Sequence, residues 1–342
     1  MERKRIDWVD SIKGFVMLSV VLGHIVNGLY DAGMYSEASG LLRNIQNIVD
    51  MYQMPIFAIA SGFLFEKAYW KGTELNKNRF KHQLINNVLL YFIWDTIFCV
   101  IKLFFAAQAN NGITVSHLLL LPFKAVGPFW YFYILVEFYT VFGIRRIHNT
   151  NPIAVLSVCV MFGLAGSYFR IFEVRWFEYA SFMFYSGFFY IGIIFAGQYK
   201  NKIFNRFSIS VLGLIAIVLI VINWSSETEI YNIPFVSYFV AVGLSFILVT
   251  IFEYIGKVPG LGFIGKHCIE IYTMHIFLTS SGRILLRKLN IGNVYLAILI
   301  IYILSIILPS LIAFVMKKIK LYDIFYKPYD CLTNNITGAE VQ

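Results

Sequence analysis

Long apolar runs, broken by short clusters of Lys, Arg, Asn and Gly, dominate this chain from residue 12 onward. A hydrocarbon layer about 30 Å thick is crossed by about 20 helical residues rising 1.5 Å each. By that measure ten runs are expected to span: 12–29, 48–65, 84–105, 129–144, 153–168, 177–195, 207–224, 234–254, 269–286 and 294–316. The fourth and fifth are short. The run 116–123 (SHLLLLPF) is too short to cross and is expected to lie at the interface or to re-enter. No soluble domain, repeat or low-complexity linker interrupts the series. Residues 1–342 therefore read as one all-α, polytopic transmembrane helix bundle.

Composition agrees with this pattern. Only 14% of residues are charged and 59% are hydrophobic, whereas a soluble domain carries about a quarter charged residues. The net charge of +9 comes from clusters between the runs and not from one basic domain. This argues against a nucleic-acid partner and for the lipid bilayer. Of the 28 Lys and Arg, seven (Arg43, Lys124, Arg170, Arg175, Arg283, Arg287, Lys288) fall on one side, two (Lys13, Lys102) within spans and 19 on the other side. Basic loops stay in the cytoplasm, so both termini are expected to be cytoplasmic. The cluster 283–288 is the exception: either that outer loop binds something anionic, or the ninth helix is placed differently. Four cysteines without CxxC spacing read as small buried hydrophobes, with no metal site. The first run has full spanning length and no small-residue cleavage site, so it reads as a retained helix.

Ionisable groups inside a bilayer are costly and point to function. In the first helix Asp10, Lys13, Met17, Val20, His24, Asn27 and Asp31 recur every three or four residues on one face, which is expected to look into the bundle. His24 lies roughly 18 Å from the cytoplasmic edge, slightly past mid-membrane, where a neutral imidazole is a competent general base. Asp95 and Lys102, seven residues apart in the third span, are expected to pair with each other. Glu137 has no evident partner in its own helix, and His275 shares a stripe with Cys268, Tyr272 and Thr279. Both are open between a site and helix–helix glue.

The opening RIDWVDSIKGFVMLSVVLGHIVNGLY resembles the first helix of the bacterial acyltransferase-3 family of membrane O-acyltransferases, close to its fucose 4-O-acetylase-like branch. That helix carries Asp, a basic residue and a Gly-His pair, here Asp10, Lys13, Gly23 and His24. MPIFAIASGFLF (54–65), Arg79 with Lys81, the pair Trp130–Tyr131 and HCIEIYTMHIF (267–277) resemble further family blocks in order. Two departures stand out. The third-span patch lacks the fuller Arg-x-x-Arg arrangement and the following Pro-Tyr, and Glu270 stands near a usual small hydroxyl residue.

The resemblance implies acyl transfer from cytoplasmic acyl-CoA, with acetyl-CoA the expected co-substrate and no permanently bound cofactor. The acceptor is a hydroxyl of a cell-surface or secreted glycan, and the location is the bacterial plasma membrane. On that reading His24 is the general base and Glu137 orients it. Lys13, Arg79 and Lys81 hold the donor's phosphates. Trp130 and Tyr131 stack on a sugar, Arg170 and Arg175 steer an anionic acceptor, and Asp10 and His275 belong to the substrate site. Self-association into a homo-oligomer is left open. The alternative from another class is a transporter or exporter of a glycan intermediate or acyl group without catalysis.

Overall fold

The computed structural model describes residues 5–104, 114–171, 179–197, 206–225 and 233–339. The protein is an all-α, polytopic membrane bundle. Its helices are α1 (Asp7–Asp31), α2 (Ser39–Tyr69), α3 (Lys77–Phe104), α4 (Ser116–Leu120), α5 (Trp130–Phe142), α6 (Arg145–His148), α7 (Pro152–Ile171) and α8 (Tyr179–Ala196). They continue as α9 (Arg206–Ser225), α10 (Pro234–Ile255), α11 (Pro259–Lys266), α12 (Cys268–Lys288), α13 (Val294–Lys318), α14 (Tyr322–Tyr326) and α15 (Pro328–Ala339). Among the described residues, seven helices are long and apolar enough to cross a membrane: those beginning at Asp7, Ser36, Lys77, Pro152, Tyr179, Pro234 and Val294. Strands β1 (Trp70–Lys71) and β2 (Glu74–Leu75) pair antiparallel between α2 and α3. The face where α1 begins is called near below, and the opposite face far.

α1 is the axis of the bundle. Val9, Ile12, Val16, Val21 and Val26 leave its surface apolar on nearly every side and are buried, as expected of a helix with neighbours all round. Its closest neighbour is α11. A Cβ on Gly14 would run into the Leu261 carbonyl, and one on Gly265 into the Asp10 carbonyl. The same device joins α2 and α8, where Gly62 meets the Phe189 carbonyl and Gly192 the Ile59 carbonyl. Hydrocarbon gives apolar helices no reason to separate from lipid, so backbone approach at small residues drives their association.

The expected fourth span, 129–144, is the 13-residue helix α5, which covers only about 20 Å. It is short because the chain before it re-enters the bundle. The Asp95 carboxylate, buried in mid-α3, accepts the backbone N–H of Val126 (3.0 Å) and of Gly127 (3.0 Å). Tyr91 donates its hydroxyl to the Leu121 carbonyl (2.6 Å), and Tyr272 donates to that of Pro128 (2.6 Å). Irregular backbone inside a membrane must find protein partners, and these side chains supply them. The expected Asp95–Lys102 pair therefore does not form. Asp95 is occupied by the loop amides, and the Lys102 ammonium lies over the Phe98 ring, 5.4 Å from its centroid.

The ninth expected span is α12, which runs parallel to α1. Its basic end, the exception to the charge rule, caps α1. Arg283 donates to the Gly28 carbonyl (2.9 Å) and Arg287 to that of Ala32 (3.4 Å), so cations sit where the helix dipole is negative.

After α13 the chain turns back at Lys320, which adopts a left-handed φ of 60°. Residues 321–333 then fill the near end between α3 and α12. Trp94 donates its indole N–H to the Phe325 carbonyl (3.1 Å), the Tyr326 and Thr273 hydroxyls bond at 3.1 Å, and His82 meets Asp330 at 2.6 Å.

Candidate active site

The polar stripe of α1 is divided by the structure. Met17 and Val20 are buried, and the Cys268 thiol donates to the Met17 sulfur at 3.6 Å. This apolar belt separates Asp10 and Lys13 at the near end from His24, Asn27 and Asp31 at the far end. The latter three line a cavity of about 630 Å³ between α1, α3, α12 and α13. Phe98 and Lys102 come from α3, Thr279, Ser280, Ser281 and Arg283 from α12, and Ile301 from α13.

At the inner end of the cavity, His24 lies against His275 with ring centroids 5.0 Å apart and planes inclined at 51°. His275 is fully buried. Its Nδ1–H donates to the carbonyls of Ile271 (3.0 Å) and Tyr272 (2.8 Å), which are left facing the side chain one turn along α12. With the proton on Nδ1, Nε2 keeps a lone pair, and among the described residues this buried nitrogen has no hydrogen-bond partner. The arrangement is two imidazoles in an apolar pocket whose outer wall carries amide and hydroxyl groups. Such a site can take a proton from an alcohol and hold the resulting charge.

The remaining sequence-derived residues are dispersed. Glu137 is half-buried on α5 and is not among the cavity residues, so the group against His24 is His275. Trp130 is half-buried and leans on Tyr185 at 5.5 Å. Tyr131 is 7% exposed, and its hydroxyl bonds to Ser61 at 2.9 Å, joining two of the sequence blocks. Asp10 lies 3.5 Å from Arg5. Lys13 is half-buried at the near end, while Arg79 and Lys81 are exposed on the first turns of α3. Arg175 and the side chain of Arg170 lie outside the described residues. Among the described residues, no cluster of three or more His, Cys, Asp or Glu is arranged to hold a metal.

Two sets of contacts were not expected from the sequence. Ser280 and Ser281 complete the cavity wall, and the polar string TSSGR inside α12 was their signal. At the near end Glu270, 2% exposed, accepts the Tyr322 hydroxyl (2.8 Å), with His267 at 3.6 Å and Lys317 at 3.8 Å. Burial raises the Tyr322 phenol well above its ordinary pKa, and the neighbouring Glu270 carboxylate adds to the shift. Tyr322 follows the last span, where hydrophobic periodicity carried no information.

A second cavity, of about 540 Å³, opens on the near face beside the hairpin. On its wall His148 stacks on Trp70 (3.7 Å, 9°) and bonds Glu66 at 3.2 Å.

In comparison with known protein families, the acyltransferase domain model of the acyltransferase-3 type matches residues 6–315. No curated protein and no solved structure matches the chain.

Proposed function

The chain belongs to the acyltransferase-3 family, and on that premise we propose that it is an O-acyltransferase carrying an acetyl group from acetyl-CoA to a glycan hydroxyl. The near face is then the cytoplasmic side of a bacterial plasma membrane, and the acceptor enters from the far face. The observation that carries this reading is the His24–His275 pair at the inner end of a hydroxyl-lined cavity.

The step is a direct transfer. His24 removes the proton from the acceptor hydroxyl as its oxygen attacks the thioester carbonyl carbon. A C–O bond forms, the C–S bond breaks, and coenzyme A leaves as a thiolate that takes the proton back from His24. His275 disperses the charge that His24 carries in between. It fills the supporting role first assigned to Glu137. Lys13, Arg79 and Lys81 attract the phosphates of the donor at the near face. Trp130 offers a ring to the sugar, whereas Tyr131, tied to Ser61, serves the scaffold.

The test is transfer of label from radioactive acetyl-CoA into membrane glycan. His24→Ala should lose roughly 10²- to 10⁴-fold in rate, the ordinary contribution of a general base, while accumulating to the wild-type level. Transfer at the wild-type rate by the variant overturns the mechanism. Glycan movement with no dependence on acyl-CoA would point to the transport alternative.

A further inference from the structure

The far half of the cavity holds two cations, Lys102 and Arg283, and one carboxylate, Asp31. Arg283 is committed, since its guanidinium donates to Gly28 and feels the Asp31 charge. Lys102 is different. It is half-buried, and among the described residues no carboxylate lies within ion-pair distance of it; its ammonium lies over the face of Phe98. A cation held in a membrane cavity without a counter-charge is costly, and a cation–π contact offsets that by only about 0.5–2 kcal/mol.

The position of Lys102 fits a ligand. Phe98 packs on Phe277 at 6.1 Å, two residues beyond His275. Lys102 stands one helical turn further toward the far face, roughly 6 Å outward. Ser280, Ser281 and Asn27 line the wall on the way. An acceptor whose hydroxyl reaches His24 therefore shares one cavity with Lys102.

We propose that Lys102 selects an anionic acceptor: a sugar whose carboxylate or phosphate occupies the same cavity as the acylated hydroxyl. This rests on the acyltransferase reading above for the identity of the cavity.

The experiment compares glucose, glucuronate and glucose 1-phosphate, at matched ionic strength, as stabilisers of the detergent-purified protein. Binding to the folded state alone raises the apparent Tm. Wild type should be stabilised by one or both anionic sugars more than by glucose. Lys102→Met should abolish the difference and Lys102→Arg retain it. Which anion acts separates a carboxylate acceptor from a phosphate-linked one. Equal effects of all three sugars, or a difference that survives in Lys102→Met, overturns the proposal and leaves Lys102 as an interfacial lysine. A second arm follows labelled acetyl transfer in native membranes. The His24-dependent product should bind an anion exchanger, and Lys102→Met should slow its formation at least about tenfold. A neutral product overturns the proposal. Absence of transfer even in wild type counts against the acyl-CoA reading, and the stabilisation arm still decides on the anion.

Discussion

His24 of α1 and His275 of α12 lie with ring centroids 5.0 Å apart at the inner end of a far-facing cavity. Asn or Ala at position 275 should leave His24 in place but remove the neighbouring ring that shares its charge. Labelled acetyl transfer should fall roughly 10²-fold, within the range for a proton-transfer partner, with the donor KM unchanged. Full activity in both variants would show that His24 works alone.

Asp95 holds the re-entrant loop through two backbone amides. Asp95→Ala leaves both without a partner inside the membrane. Hydrogen bonds to a charged group are worth about 1.5–3 kcal/mol each, so the purified variant should melt several degrees lower. A cysteine placed at Val126 should also become reactive to a membrane-impermeant maleimide only in the Asp95→Ala background. Equal labelling in both backgrounds would mean that the loop is held by other contacts.

Gly14 and Gly260 both belong to the α1–α11 pair region but meet different surroundings. A Cβ at Gly14 collides with the Leu261 backbone, while one at Gly260 meets nothing within 4 Å. Gly14→Ala should destabilise by about 1–3 kcal/mol, the ordinary effect of overpacking. Gly260→Ala should be neutral or slightly stabilising, since alanine favours helix. Thermal unfolding in detergent compares the two directly, and an equal loss would remove the argument for backbone contact.

Tyr322 donates to buried Glu270, and Tyr322→Phe should lower stability by about 1–3 kcal/mol by leaving that acceptor short of a donor. The alkaline limb gives a second signature. The phenol's pKa is raised in the folded state, so its contribution is complete below about pH 10, the unfolded value. It is lost as pH rises from there through the folded pKa. Tyr322→Phe should flatten the fall in Tm above pH 10. Identical alkaline profiles for both proteins would show that Tyr322 is not the titrating group.

Much of the site was legible in the residues. A histidine on an otherwise apolar first helix, in register with Asn27 and Asp31, marked the cavity wall, because a polar group in hydrocarbon must face protein or water. The stripe through Cys268, Tyr272, His275 and Thr279 likewise marked the inner face of α12. The pairing of the two stripes was not legible. Periodicity reports which face of a helix is special and says nothing about which other helix meets it. Chemistry alone suggested Glu137 as the group beside His24; the packing of α12 along α1 is what sets the His275 ring against it.

That the chain is a helical membrane bundle could be read from its residues alone, since 59% apolar residues in runs of spanning length allow little else. That Asp95 serves a re-entrant loop and not Lys102, that Arg283 caps α1, and that residues 321–333 fold back into the near end emerged from the packed fold. Those outcomes depend on backbone groups left without water inside the bundle. Which side chains reach them is set by how the helices pack, a relation between distant segments that no local pattern carries.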